Sequence, residues 1–296
     1  MWDTRKRITM GFNYQMATEI ISCFKSYDLD DIIENINTLI YINAIDIDDF
    51  IRDLFNQNLT CIIKPMKNTI LHTFIGKYLY FYLDNERYFL VDTLCDDFDI
   101  DSVLDFLDRY EYILDEYNCL ITDYYDNIIK FDEEYEQTDG ENRDDYKLYL
   151  SGIFESILNN INEHENEIVE SIFYLLYGNK DFLFKFNYFI SNYITYEYMD
   201  KNLFDNKNHL KRCSSIPTWL VRVIFYRDNG RCQHCGRDLS NINSITGNCE
   251  IQHDHVIPLE QGGTNDATNF QLLCSDCNQH KSGNIIKPNY LYQVYW

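Results

Sequence analysis

Two cysteine pairs constrain this chain more than any other feature: Cys232-Gln233-His234-Cys235 and Cys274-Ser275-Asp276-Cys277. A Cys-x-x-Cys turn presents two thiolates to one tetrahedral Zn²⁺, and two such turns complete the shell. Four thiolates leave no open position for a substrate, so the expected ion is a structural staple. A reduced compartment and a metal fit these pairs better than disulfides do. The 38 residues between the pairs exceed the spacing of a zinc ribbon, so the insert must be a structural unit in its own right. Cys213 and Cys249 stand outside the pairs and are expected not to be ligands, with Cys249 as the alternative if the spacing misleads. His234, inside the first knuckle, reads as exposed rather than ligating.

The pairs lie in a stretch whose charge differs from the rest. The chain of 296 residues has a formal net charge of −23, which by itself argues against a nucleic-acid partner. Residues 207–296 hold 9 basic and 7 acidic residues, a net of +2, while residues 1–206 hold 16 basic and 41 acidic ones, a net of −25. Five of the seven His, six of the ten Cys and six of the eleven Gly also lie after residue 206. A coincident shift of this kind predicts a domain boundary, with a linker near residues 200–208. No run of 18 apolar residues is present, so no membrane-spanning helix is expected. Arg5-Lys6-Arg7 begins like a signal peptide, but Asn13, Gln15 and Glu19 interrupt the apolar stretch one needs. The expectation is an intracellular, soluble protein.

Residues 1–206 read as helical. Apolar residues recur at helix spacing, as in Ile32, Ile33, Ile36, Leu39 and Ile40. Helix starts are marked by Asp28-Leu29-Asp30-Asp31-Ile32, Asp46-Ile47-Asp48-Asp49-Phe50 and Asp99-Ile100-Asp101-Ser102-Val103, because an N-cap carboxylate accepts free backbone N–H groups. Their Asp-x-Asp spacing is reminiscent of a calcium loop, but Ile32 and Ile33 follow where a third oxygen ligand and a glycine belong, which favours capping. Further helices are expected over 66–82, 100–131, 144–177 and 180–199, with a loop at Asp139-Gly140-Glu141-Asn142. Cys23, Cys61, Cys95 and Cys119 are isolated and read as reduced core thiols. No catalytic constellation occurs in this half.

Between the cysteine pairs stand Glu250-Ile251-Gln252-His253-Asp254-His255-Val256-Ile257-Pro258, then Gly262-Gly263-Thr264-Asn265, then Asn269-Phe270-Gln271-Leu272-Leu273. Asn278-Gln279-His280-Lys281 follows the second pair. On these phrases, in this order, residues 217–284 resemble the HNH endonuclease family, whose ββα-metal fold has a zinc-stapled subtype. The resemblance implies a catalytic set of His255, Asp254, Asn269 and Asn278. Cleaving a phosphodiester needs an activated water and charge neutralisation at phosphorus. An imidazole such as His255 can accept the water's proton at physiological pH. The Asp254 carboxylate suits a hard Mg²⁺ or Mn²⁺ ion, and the family completes that metal site with the residue after the last zinc cysteine, here Asn278. His280 is the weaker alternative, two residues out of register. Asn269 matches the family's central Asn, which orients the loop bearing the catalytic His. Lys281 shares a helix face with Asn278 and is a candidate phosphate contact. His253 should face away from Asp254 by strand alternation. Gln252 stands where some members carry a further His.

The expected fold is a mainly α N-terminal domain, residues 1–206, followed by a small α+β ββα-metal domain, residues 207–296, with a four-cysteine zinc site. In that domain Pro217 and Gly230 bracket a helix with Leu220, Val223 and Ile224 on one face. Strands are expected near 249–256 and 268–273, and the final helix should begin at the second knuckle. The implied activity is metal-dependent hydrolysis of DNA; a catalytically inert zinc module for nucleic-acid or protein binding is the alternative. The acidic half is expected to recruit a protein partner, to regulate the nuclease by competing with DNA, or to serve as a solvated helical domain.

Overall fold

A computed structural model describes residues 4–40, 45–88, 130, 143–194, 200–240 and 250–288. Apart from Lys130, the expected helix over 100–131 lies outside the described residues, as do the loop at 139–142, the Asp99 phrase, Cys95, Cys119 and Cys249. Helix α1 covers Thr4–Cys23. Asp28 accepts from the N–H of Asp30 (2.9 Å) at the start of α2, Leu29–Ile40. Asp46 accepts from the N–H of Asp49 (2.8 Å) at the start of α3, Ile47–Ile63. These bonds satisfy donors that a helix start leaves open, and they account for both aspartate phrases.

Helix α4, Ile70–Tyr88, starts later than its pattern predicts. The N–H of Thr69 donates to His72 Nδ1 (3.1 Å), which fixes the entry to the first turn. The expected single helix over 144–177 is two, α5, Arg143–Glu163, and α6, Glu165–Tyr177. At His164 the N–H bonds back three residues to Ile161, while its carbonyl starts a new ladder by accepting from Glu167 and Ile168. Helix α7, Lys180–Ser191, is capped by Asn179 and ends at Asn192 rather than near 199. There the N–H of Asn192 bonds to Phe189 O, three residues back, tightening the last turn.

The chain divides into two compact units, one of residues 1–19 and 76–172, the other of residues 20–75 and 173–296. Among its described residues the first is helical but for the turn at His164. Leu79 and Leu83 of α4, Ile153, Phe154 and Ile161 of α5 and Ile168 of α6 are buried there. Gly76 lets α4 and α6 approach, since a Cβ at this position would stand 3.2 Å from Glu165.

In the second unit, Phe24 sits at the hub of an aromatic cluster. Phe74, Phe182, Phe186 and Phe189 meet its ring edge-to-face at centroid distances of 5.3–5.9 Å, the arrangement that ring quadrupoles favour. Helix α7 is buried on nearly every side, including Lys185, whose ammonium donates to Asp181 (2.7 Å) and to Lys25 O (2.9 Å). The composition boundary near residue 206 falls inside this unit, because residues 20–75 and 173–206 share it with the cysteine-rich region. The expected linker is itself folded. Lys201–Leu203 form a 3₁₀ turn, Phe204 bridges to Leu210, and both of these residues are buried.

The C-terminal region begins with α8, Thr218–Arg227, with Pro217 at the N-cap position. Leu220 and Ile224 are fully buried, but Val223 is exposed, so the packed stripe is narrower than predicted. Strands β1, Ile251–His255, and β2, Phe270–Cys274, pair antiparallel with Asp254 opposite Gln271 and His255 opposite Phe270. Helix α9, Ser275–Lys281, follows directly. Leu220, Ile224, Leu239, Phe270, Leu272 and Leu273 form the core under these elements. Asp228, just past α8, is buried, pairs with Arg227 (2.8 Å) and accepts from the N–H of Leu272 (2.7 Å), tying the helix to β2. The whole is the expected mainly α fold with a small α+β module at its C-terminal end.

Candidate functional site

The two cysteine pairs meet. Sγ atoms of Cys232, Cys235, Cys274 and Cys277 all lie within 4.8 Å of one another, and Cys235 and Cys274 are 3.9 Å apart. A tetrahedron of thiolates at Zn–S distances of about 2.3 Å has edges of roughly 3.8 Å, so the cluster fits one such ion. The first knuckle closes on itself, with Cys232 N–H donating to Arg237 O and Gly236 N–H to Cys232 O. Cys274 caps α9, accepting on sulfur from the N–H of Cys277 (3.5 Å), where a helix start favours a thiolate. Burial raises the Cys274 thiol to about 11 and also raises Cys277, with the Cys232 sulfur adding to both. At Cys232 burial also acts upward, but N–H groups of Cys235, Cys274 and His234 outweigh it and the net direction is down. Four sulfurs gathered this closely would be stabilised as thiolates by a cation at their centre. Cys213 lies outside the cluster, as expected, and His234 is half-buried with its ring stacked on that of His280.

Asp254, His255, Asn278 and Lys281 line one cleft of about 570 Å³, together with Arg212 and Glu260. Strand β1 delivers the first two residues and one face of α9 the next two. His280 and His253 are not among the residues lining the cleft. Lys281, expected to face a phosphate, is 3% exposed and directed elsewhere. Its Nζ donates to Asp254 Oδ2 (2.5 Å) and to His255 O. Arg212 is the exposed cation of the cleft.

His255 is 1% exposed, with its ring against Phe270 at 4.5 Å. Its Nε2 stands 3.2 Å from Asn265 Oδ1, while Nδ1 is buried with no hydrogen-bond partner among the described residues. Burial, and then the charge of Arg212, lower its pKa to about 4, against the opposite pull of Asp254. The ring is therefore neutral at physiological pH.

The loop after β1 is held at nearly every residue. Asn269, fully buried, accepts from Ile257 N–H (2.8 Å) and donates to Ile257 O (3.0 Å) and Thr264 O (2.8 Å), joining the two ends of the loop. Its backbone O accepts from Val256 N–H (2.7 Å), the residue after His255. Gly262 has φ +80°, and a Cβ there would stand 2.3 Å from Ser191 O; at Gly263 it would stand 1.9 Å from Ile257 O. Only glycine fits either position. Asp266, buried, accepts from Ile70 N–H (3.0 Å) at the start of α4 and from Thr268 Oγ1 (2.6 Å). Asn187 of α7 donates to Thr268 O (3.2 Å).

Sequence reasoning missed Asn265, Arg212 and Asp266. The first and last stand in or beside the Gly-Gly-Thr-Asn phrase, whose glycines and following Asn269 drew attention first. Arg212 precedes the motif and carries no local signal. Among the described residues no helix is long and apolar enough to cross a membrane. No curated protein and no solved structure matches this chain. The family model for HNH endonuclease matches residues 232–283, from the first zinc-knuckle cysteine to just past α9, so the C-terminal region of this chain carries an HNH endonuclease domain.

Proposed function

We propose that this protein is a metal-dependent endonuclease that hydrolyses phosphodiester bonds in DNA, leaving 5′-phosphate and 3′-hydroxyl ends. The observation that carries this reading is the meeting of Asp254, His255 and Asn278 in one cleft beside a four-cysteine cluster. In it, Zn²⁺ staples the knuckles and has no part in the chemistry. Asp254 and Asn278 offer a carboxylate and an amide oxygen, the donors a hard Mg²⁺ or Mn²⁺ ion prefers. When bound, that ion supplies charge neutralisation at the phosphate. His255, neutral and with a free Nδ1 lone pair, takes the proton of the attacking water. Asn269 orients the loop behind His255. The exposed Arg212 guanidinium faces the DNA phosphate, the role that the ion pair to Asp254 denies to Lys281.

One observation favours a second reading, an inert zinc module that binds nucleic acid or protein. Lys281 already neutralises Asp254 from 2.5 Å, on the carboxylate a catalytic ion requires. The two readings part in one assay. Purified protein should nick supercoiled plasmid with Mg²⁺ or Mn²⁺, and His255→Ala should abolish nicking while keeping its zinc. Binding without turnover under any divalent ion would support the inert module, and nicking that survives in His255→Ala would remove His255 from the mechanism.

A further inference from the structure

We infer that Asn265 is a positioning residue that holds the His255 ring in one tautomer, with the proton on Nε2 and the lone pair on Nδ1. The consequence for catalysis rests on the nuclease reading above; the tautomer itself does not. Asn265 is fully buried, and each end of its side-chain amide is identified by a backbone partner. Its Nδ2 donates to Lys211 O (2.8 Å), a group that can only accept. Its Oδ1 accepts from the N–H of Cys213 (3.1 Å), a group that can only donate. The amide therefore cannot be flipped, and the atom 3.2 Å from His255 Nε2 is an oxygen. An oxygen acceptor at this distance requires N–H on the facing nitrogen, so the neutral form of the ring has its lone pair on Nδ1. Among the described residues Nδ1 has no hydrogen-bond partner, which leaves it as the nitrogen able to take a proton.

Asn265 is in turn set by parts of the chain far from the motif. Its own N–H donates to Ile62 O (2.9 Å) near the end of α3. The next residue, Asp266, holds the first turn of α4. Lys211 and Cys213, its side-chain partners, belong to the segment between the bridged turn and α8. The helical residues of this unit thus reach the His255 ring through one amide, which is not among the residues lining the cleft.

The test is the nitrogen spectrum of the full, zinc-loaded chain labelled with ¹⁵N-histidine at neutral pH, the His255 signals being assigned by their loss in His255→Gln. The wild-type ring should carry its proton on Nε2; a proton on Nδ1 overturns the inference. Asn265→Ala removes the oxygen that faces Nε2 and should give a mixture. A single unchanged Nε2–H form in Asn265→Ala overturns the inference. Should the alanine variant fail to fold, the wild-type spectrum still decides. In the plasmid assay Asn265→Ala should lower kcat by about 10–100-fold with KM unchanged, because the residue supports the base without touching DNA. A wild-type chain with the expected tautomer and no cleavage under any divalent ion would sink the nuclease reading and leave the positioning role standing.

Discussion

The zinc knuckles and the loop between β1 and β2 sit in one small domain, yet they are held in opposite ways. Each knuckle closes over a few residues, with Cys232 bonded to Arg237 and Gly236 to Cys232, and Cys274 to Cys277. The loop that carries Asn265 and Asn269 is gripped from a distance. Asp266 meets Ile70 across 196 residues of sequence and Thr268 meets Asn187 across 81. The difference teaches that a motif can encode its cysteine turns locally while leaving the posture of its histidine to the rest of the chain.

The comparison breaks most sharply at the metal. Tight chelation, or Cys274→Ser, should unfold the knuckles and α9, because a structural zinc site contributes on the order of 10 kcal/mol, comparable with the stability of a whole domain. Melting curves and zinc content report it together; an unchanged melt after complete zinc loss would mean that the distant contacts alone hold the module. At the loop, Gly263→Ala drives a methyl into Ile257 O, a backbone atom that cannot yield cheaply. A loss of about 3 kcal/mol or more in urea titrations is expected.

A smaller effect comes from pH. The His255 pKa is about 4 in the fold against 6.5 for an ordinary His. Above pH 6.5 the ring is neutral in both folded and unfolded chains and contributes no pH dependence. Between 6.5 and 4 the unfolded chain takes up a proton that the folded one refuses, so stability falls as pH falls. Lowering the pH from about 7 to about 5 should remove roughly 2 kcal/mol in the wild type, a component absent from His255→Gln. The smallest effect belongs to the knuckle surface. The Arg237–Asp276 pair, 2.9 Å long with both side chains well exposed, is screened by water, and Arg237→Ala should shift stability by no more than about 0.5 kcal/mol.

Much of the domain could be read from residues in a row. The cysteine pairs, the aspartate caps at 28 and 46, Pro217 before a helix and the two short strands all follow from local chemistry, and the structure has each of them. What escaped depended on partners far along the chain. Val223 has helix spacing and an apolar side chain, but it stays exposed, with no described element covering it. Lys281 shares a face with Asn278 as the spacing requires, but β1 brings Asp254 against it, which spacing on α9 cannot reveal. The composition step at 206 is real in charge, yet charge describes surfaces, while the division into units follows buried contacts such as those of Phe24 with Phe182, Phe186 and Phe189.

By itself, then, the sequence determined that four cysteines would gather into one cluster that could hold a metal, and it proposed Asp254, His255, Asn269 and Asn278 as one motif, because short spacings and residue chemistry suffice for both. Only the tertiary structure decided which nitrogen of His255 faces Asn265, which cation remains exposed in the cleft and which helices grip the loop. Those answers depend on hydrogen bonds and burial between segments distant in the chain, and no local pattern specifies which distant groups will meet.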